Sequence, residues 1–420
     1  MGHTITEKIL ARAACLASVR PGDEIRATPS RLLAYDFPGT TDLFFRQMKQ
    51  DFGREKVVKP QRIALFIDHM VPAREPKEEV LHQQTRAWAA EQGTVLHERK
   101  GIGHQVAVEE GYAKPGDFVL HHDGHVSQLG AYGTLAIGVR RNLIEAFISD
   151  QVAITVPATT RVNVRGALQQ GVMARDVFHH ILRVLGPGSC NFQVVEFTGP
   201  TIEQMSFDGL QTLTGLTMFL GAISSIVNPN ERTIAYARER TTTEGFEPLR
   251  SDSDAQYAAE FDIDVSSLEP TVAIPPSPDL IRDLRDYLGL EVHSGYLGSC
   301  ASGRLEDLEV AAKVLKGRTV KAGFALHVVP TSQRVLSEAS RLGYVETLVD
   351  AGAFLSSPSC DYCYGHVATM APGQRAVSTG TLNVPGRMGS TDSEIYLTNA
   401  AVVAASAIEG KIADPRRYLA

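Results

Sequence analysis

Short apolar runs alternate with helix-like segments through the first third of the chain, and this alternation limits the possible fold more than any other feature. The runs IALFI at 63–67 and FVL at 118–120 are each bounded by polar or turn-forming residues. Strands that alternate with helices are typical of a parallel sheet covered by helices. We therefore predict an α/β fold. We also expect GAYGTLAIGVRRNLIEAFI, at 130–148, to form one Gly-rich helix.

Acidic and imidazole side chains follow two of these predicted strands. Asp68 and His69 come directly after IALFI, and Asp123 and His125 lie in the segment HHDGH that follows FVL. In open α/β sheets, ligands bind at the carboxyl ends of the strands. A carboxylate beside an imidazole can fix the tautomer of the imidazole and raise its basicity. The pattern therefore predicts a site for acid–base chemistry at this edge of the sheet.

Three cysteines stand in a pattern that is typical of metal ligands, because Cys300 lies far upstream of the C-x-x-C pair Cys360 and Cys363. Three thiolates can hold three irons of a [4Fe–4S] cluster, and the fourth iron could then accept a substrate hydroxyl or carboxylate as a Lewis acid. With His366, the same cysteines would make a closed Cys3His zinc site. Three unlinked buried thiols are the third interpretation, and spacing alone leaves all three open.

Composition excludes several classes of function. A formal charge of −7 gives no electrostatic footprint for nucleic acid. The first residues lack the features of a secretory signal, and no apolar run approaches the length of a membrane span. An odd number of cysteines, five in all, fits reduced thiols and a cytoplasmic location. We expect Cys15 and Cys190 to be structural.

Sequence segments along nearly the whole chain resemble one known family. They are MGHTITEKILARAA (1–14), IDHMVP (67–72), GIGHQV (101–106), VPATTRVNVRGAL (156–168), FDIDVSSLEPTVAIPPSPD (261–279), GSCASGRLEDLE (298–309), SPSCDYCYGH (357–366) and NVPGRMGS (383–390). In order and spacing the chain resembles the aconitase superfamily, most closely the large subunits of isopropylmalate isomerase and homoaconitase. The resemblance implies three α/β domains of the aconitase type around a central cluster site, at 1–155, 156–280 and 281–420, the last carrying the cysteines.

The same resemblance implies roles for individual residues. Cys300, Cys360 and Cys363 match the ligands of a [4Fe–4S] cluster. The catalytic groups that it implies around substrate and cluster are Asp68, His69, His104, Asp123 and His125. Arg387, in PGRMGS, matches an arginine that binds substrate, and a planar guanidinium suits a carboxylate. The implied reaction is dehydration, hydration or isomerisation of a hydroxy carboxylic acid by a hydro-lyase.

Several residues depart from the family pattern. Gly124 replaces the serine of the D-S-H-T motif, and Leu382 stands where an arginine is usual. Phe219 aligns with a catalytic glutamate, and no acidic residue lies between Asp208 and Glu231. These replacements make the predicted pocket more apolar and remove a positive charge. We therefore expect a substrate with fewer carboxylates than citrate or with a more apolar substituent.

Enzymes of this superfamily also use a swivelling domain, which the 420 residues do not include, so we expect a separate small subunit. Two other functions stay open at this point. The loss of the glutamate and serine is compatible with a cluster enzyme of another class, such as desulfurisation or sulfur transfer at the open iron. A non-catalytic iron–sulfur or zinc protein that binds a partner is the remaining alternative.

Overall fold

Parallel strands covered by helices dominate the computed structural model, which describes residues 2–36, 41–139, 141–240, 246 and 248–419. The described strands form three larger sheets and one two-stranded ribbon. The predicted α/β fold is thus confirmed. Within the described residues, no helix has the length and apolar content needed to cross a membrane.

The first sheet contains five parallel strands in the order β4-β3-β2-β5-β6. Its strands are β2 (Arg31–Tyr35), β3 (Ile63–Ile67), β4 (Val95–Glu98), β5 (Phe118–His121) and β6 (Leu135–Gly138); β1 (Glu24–Ala27) and β7 (Val152–Thr155) form the ribbon, and the helices are α1 (Ile5–Ala13), α2 (Thr41–Phe52), α3 (Pro76–Gln92), α4 (Gly103–Glu109) and α5 (Arg141–Ser149). All five residues of β3 are buried, as its apolar sequence predicts. The residues that follow β2, β3 and β5 therefore share one edge of the sheet.

The single helix predicted for 130–148 is wrong. A 3-10 helix ends at Tyr132, the strand β6 follows, and only 141–149 is α-helical. Gly130 lies so close to the backbone of Ser225 that a Cβ would stand 1.8 Å from its carbonyl oxygen. Gly133 has a positive φ of 71°, a conformation that favours glycine. Close packing and chain reversal, rather than helix continuation, explain these glycines.

The second sheet contains four parallel strands in the order β10-β9-β8-β11. Its strands are β8 (Thr159–Arg165), β9 (Val194–Thr198), β10 (Ser224–Val227) and β11 (Ala259–Asp264), with helices α6 (Ala174–Leu185), α7 (Pro200–Gln204), α8 (Phe207–Gly215) and α9 (Glu231–Arg240). The helix predicted at ARDVFHHILRVLG is confirmed as α6. Helix α8 packs against the 3-10 helix at 124–132, which follows Asp123.

The third sheet has seven strands in the order β13-β12-β18-β17-β14-β15-β16, parallel except at the pairings of β12. Its strands are β12 (Thr271–Ala273), β13 (Ile281–Asp283), β14 (Ser294–Leu297), β15 (Ala325–Val328), β16 (Phe354–Leu355), β17 (Arg375–Ser378) and β18 (Glu394–Leu397); the helices are α10 (Leu305–Leu315), α11 (Gln333–Arg341), α12 (Tyr344–Asp350) and α13 (Ala400–Glu409). Cys300 follows β14, and Cys360 follows β16. The three domain boundaries stay a prediction.

Candidate metal and acid–base centre

Asp68 and His69 form a buried carboxylate–imidazole pair at the end of β3. His69 Nδ1 lies 2.6 Å from Asp68 Oδ1, and the other carboxylate oxygen accepts a hydrogen bond from the Gly103 backbone N–H at 2.7 Å. Burial lowers the pKa of His69, but Asp68 and Cys360 outweigh it and leave the pKa well above its usual value. His69 therefore holds its proton at neutral pH.

Asp36, at the end of β2, supports this pair, and the sequence analysis missed it. The fully buried Asp36 carboxylate accepts hydrogen bonds from the backbone N–H groups of Asp68 (3.0 Å) and His69 (3.3 Å). Its Oδ2 lies 3.1 Å from His82 Nε2. A signal existed, because Asp36 follows the apolar run RLLAY as Asp68 follows IALFI.

A second carboxylate, that of Asp123, lies beside two imidazoles at the end of β5. Asp123 Oδ1 is 2.9 Å from His104 Nε2 and 3.5 Å from His125 Nδ1, and it accepts the His125 backbone N–H at 2.8 Å. Burial raises the pKa of Asp123, but His104 and then His125 reverse the shift and hold the pKa well below its usual range. The Asp123 side chain is 36% exposed, so this pair borders accessible space.

Tyr35 lies among the groups of both pairs and is the second residue that the sequence analysis missed. Its side chain is 1% exposed, and its ring centroid is 4.9 Å from that of His104. Burial raises the pKa of Tyr35 well above 10, and Asp123, Asp68 and Cys300 raise it further. The two carboxylates and the first cysteine are therefore near one phenol.

The three predicted cysteine ligands influence one another electrostatically. Burial raises the pKa of Cys300 well above its usual value, and Cys360 and Cys363 raise it further. Burial also raises the pKa of Cys360, to about 11. For Cys363, burial is outweighed by Arg387 and by hydrogen bonds from Thr381 and Arg387, and the pKa is lowered. Arg387 donates to Cys363 Sγ at 3.5 Å and to its carbonyl oxygen at 3.0 Å.

The distances between the cysteine sulfurs bear on which metal these residues could bind. A tetrahedral zinc ion with Zn–S bonds of about 2.3 Å holds its sulfurs about 3.8 Å apart. Among the described residues, one set of three His, Cys, Asp or Glu side chains has ligand atoms that all lie within 4.8 Å of one another. That set is Asp36, Asp68 and His69, and it contains no cysteine. One oxygen of each of those two carboxylates already accepts a hydrogen bond from the backbone. At least one pair of the three cysteine sulfurs is thus more than 4.8 Å apart, which is wider than the spacing of sulfurs around one zinc ion.

His366, the fourth ligand of the zinc interpretation, points to a different partner. Its Nε2 lies 3.4 Å from Glu78 Oε1, a buried carboxylate of α3. Cysteine thiolates are the usual ligands of [4Fe–4S] clusters, which need no histidine. The Arg387 guanidinium contacts Cys363 Sγ, and the Thr381 hydroxyl lies 3.7 Å from the same sulfur. Together with the three thiols, these groups fit a cluster better than a Cys3His zinc site.

Three hydrogen bonds fix the C-x-x-C turn to the loop that follows β3 of the first sheet. The Cys360 backbone N–H donates to the Asp68 carbonyl oxygen at 3.1 Å. The buried Asp361 carboxylate accepts the backbone N–H groups of Met70 (2.6 Å) and Val71 (2.9 Å). The C-x-x-C turn and the Asp68–His69 pair therefore hold one another in place.

Arg304 anchors the loop that carries Cys300. Its side chain is fully buried and donates to the Cys300 carbonyl oxygen at 2.6 Å. It also donates to Gln128 at 2.6 Å and to Thr212 at 3.1 Å, and its Nε reaches Gln105 at 3.3 Å. One guanidinium thus joins residues of all three sheet regions next to a predicted ligand.

Apolar groups surround the positions where the chain departs from its expected pattern. The space beside Gly124 is taken by Met218, whose sulfur would stand 3.2 Å from an added Cβ. The Phe219 ring centroid lies 6.4 Å from that of His125. Leu382 is half-buried next to Thr381, which contacts Cys363. The predicted loss of polar groups therefore coincides with apolar side chains near His125 and near Cys363.

Comparisons of the sequence with known proteins give matches over nearly the full chain. A sequence model described as the aconitase family (aconitate hydratase) matches residues 7–410. The chain is 37% identical over 423 residues to 3-isopropylmalate dehydratase large subunit 1 of Methanopyrus kandleri, with 100% of each chain covered. It is 38% identical over 420 residues to a probable methanogen homoaconitase large subunit of Methanothermobacter thermautotrophicus, covering 98% of this chain and 97% of the relative. A crystal structure of Thermococcus kodakaraensis aconitase X in its holo-form overlaps with a TM-score of 0.49 at 13% identity, covering 85% of this chain and 84% of that one.

Proposed function

Because the chain belongs to the aconitase family, we propose that it is the large, catalytic subunit of a [4Fe–4S]-dependent hydro-lyase that acts on a hydroxy carboxylic acid. The resemblance found in the sequence is confirmed, and the protein is a hydro-lyase. Proteins of this family generally carry a [4Fe–4S] cluster. The relatives at 37% and 38% identity are named large subunits, which supports a separate small subunit as partner.

The observation that carries the proposal is the electrostatic interaction of the two carboxylate–imidazole pairs with the cysteines, of which Cys300 and Cys363 are buried and Cys360 is partly buried. Cys300, Cys360 and Cys363 would hold the cluster, which would supply a Lewis-acidic iron with no protein ligand. The electrostatic influence of Asp68, Asp123 and Cys300 on the Tyr35 phenol supports their closeness. Acid–base groups and a metal centre in one pocket suit the removal and addition of water.

The two pairs suit opposite proton-transfer roles. The Asp68 carboxylate raises the pKa of His69 and so keeps a proton on its ring, and we assign His69 as the acid that helps hydroxide leave. His125 Nε2 has no hydrogen-bond partner among the described residues, and its Nδ1 faces Asp123 at 3.5 Å. We assign His125 as the base, with Asp123 orienting it and His104 fixing Asp123.

Arg387 is the group that we expect to orient an anionic substrate. Its guanidinium is partly buried against Cys363, so a carboxylate bound there would lie beside the cysteines. Leu382 and Phe219 supply apolar surface where the family pattern has charged groups. We therefore propose a substrate with fewer carboxylates than citrate or with an apolar substituent, such as a branched alkyl malate.

Anaerobic reconstitution with iron and sulfide tests the cluster. We expect broad visible absorption and about four irons per chain. The variant Cys300→Ser should lose most of this iron, whereas Cys15→Ser, which changes an exposed cysteine outside the site, should keep it. Stoichiometric zinc with no iron would contradict the proposal.

A panel of hydroxy acids tests the reaction. The reconstituted chain, co-purified with its small subunit, should hydrate or dehydrate at least one member, with 3-isopropylmalate favoured over citrate. Activity towards any hydroxy acid would contradict a desulfurising or sulfur-transfer function. If the enzyme holds a full cluster but neither hydrates nor dehydrates any member of the panel, the proposed substrate class is contradicted.

A further inference from the structure

Tyr296, on β14, carries a buried hydroxyl that the polypeptide leaves unused. Its side chain is 1% exposed, and within the described residues its phenolic oxygen has no side-chain or backbone hydrogen-bond partner at normal geometry. Buried tyrosine hydroxyls usually have a partner, because an unsatisfied polar group costs free energy. An acceptor from outside the polypeptide would satisfy this hydroxyl.

Two glycines place the Tyr296 ring against the cysteine loops. A Cβ added at Gly380 would stand 3.8 Å from Cys363 Sγ and 3.9 Å from Tyr296 Cδ1, so ring and thiol both border that point. A Cβ added at Gly298 would stand 2.7 Å from the phenolic oxygen. The Tyr362 ring stacks on that of Tyr296, with centroids 6.2 Å apart and planes 9° from parallel. The glycines leave room for the phenol, and Tyr362 fixes its plane.

The three cysteines also act electrostatically on the Tyr296 hydroxyl. Burial raises the pKa of Tyr296 well above 10, and Cys363, Cys360 and Cys300 each raise it further. The Ser299 backbone N–H opposes part of this rise. An N–H can act only as donor to the phenolic oxygen, so the phenolic hydrogen is still without an acceptor. The phenol therefore keeps its hydrogen at neutral pH, and the three cysteines are the groups that influence it most after burial.

We propose that the Tyr296 hydroxyl donates a hydrogen bond to a sulfur of the cluster centre and thereby raises its reduction potential. This inference rests on the proposed function, since it requires the cluster held by Cys300, Cys360 and Cys363. A donor at sulfur stabilises the more negative, reduced form of the centre, and hydrogen bonds to sulfur are one of the factors that set cluster potentials. Tyr296 is thus a residue that contacts the cofactor and takes no part in the proton transfers assigned above.

The variant Tyr296→Phe removes the hydroxyl and keeps the ring. We expect the reconstituted variant to bind iron as the parent does, while its equilibrium constant for one-electron reduction falls about tenfold, which corresponds to about 59 mV. The measurement is a redox titration of the cluster followed by electron paramagnetic resonance. Tyr132→Phe is the matched control, because Tyr132 is equally buried but its hydroxyl accepts a hydrogen bond from Gln211. The control should leave the potential unchanged.

A substitution at the neighbouring Gly298 tests the same Tyr296 hydroxyl. Gly298→Ala would place a methyl group against the phenolic oxygen and displace it, so it should lower the potential in the Tyr296 background. In the Tyr296→Phe background, Gly298→Ala should cause little further change. Additive effects of the two substitutions would overturn the proposal, as would a Tyr296→Phe cluster with the parent's potential.

The two levels of inference fail in different ways. If the parent chain binds no iron–sulfur cluster, the proposed function fails. If the parent binds a cluster whose potential does not respond to Tyr296→Phe, the assignment of Tyr296 alone fails. If Tyr296→Phe does not fold, the parent itself can be tested. Electron–nuclear double resonance in H2O and in D2O should then show an exchangeable hydrogen, the phenolic one, coupled to the cluster. Absence of any such coupling there would also overturn it.

Discussion

Neighbouring charges decide what each imidazole of the site can do. His69 is enclosed by Asp68, Asp36 and Cys360, and its pKa is raised, whereas His121, two residues before Asp123, is buried and its pKa falls to about 3. The same side chain is thus a held cation in one place and a neutral ring in another. Only the first arrangement suits an acid that delivers a proton at neutral pH.

Asp123→Asn should lower kcat by about 10²–10⁴-fold with little change in cluster content. The substitution removes the negative charge that faces both His104 and His125, so the base loses its orientation and its electrostatic support. Steady-state kinetics on the reconstituted enzyme check this outcome. Asp286→Asn, a change of an exposed aspartate, is the control and should keep the parent's kcat. A higher KM with an unchanged kcat would contradict the role assigned to Asp123.

Strand ends made part of this site predictable. Asp68 and Asp123 follow apolar runs, and the spacing of the cysteines marked them as candidate metal ligands. The family resemblance implied a cluster as their metal and supplied Arg387. Asp36 carried the same strand-end signal, but RLLAY was not recognised as a strand. Tyr296 could not be found from sequence, because an aromatic residue inside a strand is typical of a core. Whether its hydroxyl is satisfied depends on Gly298, Gly380 and the cysteines, which only the folded chain brings together.

At the scale of elements, close packing decided where the sequence prediction was wrong. Leu135–Gly138 joins the sheet as β6 because its partner β5 offers free backbone groups, and no local helix preference prevents this. Gly130 is required by the approach of Ser225, a residue of β10 in another sheet. A sequence window of twenty residues holds no information about that distant strand. Long uninterrupted patterns such as α6 were predicted well because their signal is local.

The start of α10 contains a carboxyl that should make stability depend on pH. Asp307 caps the helix by accepting the Arg304 backbone N–H at 3.1 Å. Burial raises the pKa of Asp307 to about 7, although Arg304 opposes the rise. A folded-state pKa above the unfolded value means that the folded chain binds the proton more tightly. Stability therefore falls as pH rises from about 4 to about 7.

Asp307→Asn should remove this dependence, since the amide oxygen of asparagine can still accept the Arg304 backbone N–H and the side chain carries no charge. From pH 5 to pH 8, the free energy of unfolding of the variant relative to the parent should rise by about 2–3 kcal/mol. Denaturant unfolding of both proteins at the two pH values measures the difference, in which other titrating groups cancel. A constant difference between pH 5 and pH 8 would show that Asp307 is ionised throughout this range in the folded chain.

Over the whole molecule, a few buried polar groups hold the three sheet regions around the cysteines. Arg304 donates to Gln105, Gln128 and Thr212 as well as to the Cys300 carbonyl oxygen. Asp361 joins the C-x-x-C turn to the loop after β3. The site therefore depends on the packing of the regions as much as on its own loops.

Arg304→Met should lower the free energy of unfolding by about 3–5 kcal/mol, because several buried acceptors lose their donor at once. It should also weaken iron retention, since the Cys300 loop loses its anchor. Denaturant unfolding and iron analysis of the same preparation check both effects. Arg99→Met, at an exposed arginine, is the control and should change neither quantity appreciably.

The attachment of Cys360 and Asp361 to the loop after β3 has a consequence for the lifetime of the protein. A bound centre would add its binding free energy to the contacts between those loops, because a ligand that binds only the folded state stabilises it. Loss of iron would then loosen a junction between regions as well as abolish turnover. Proteases act on transiently opened chains. Iron supply would in this way govern how long each copy of the polypeptide survives in the cell.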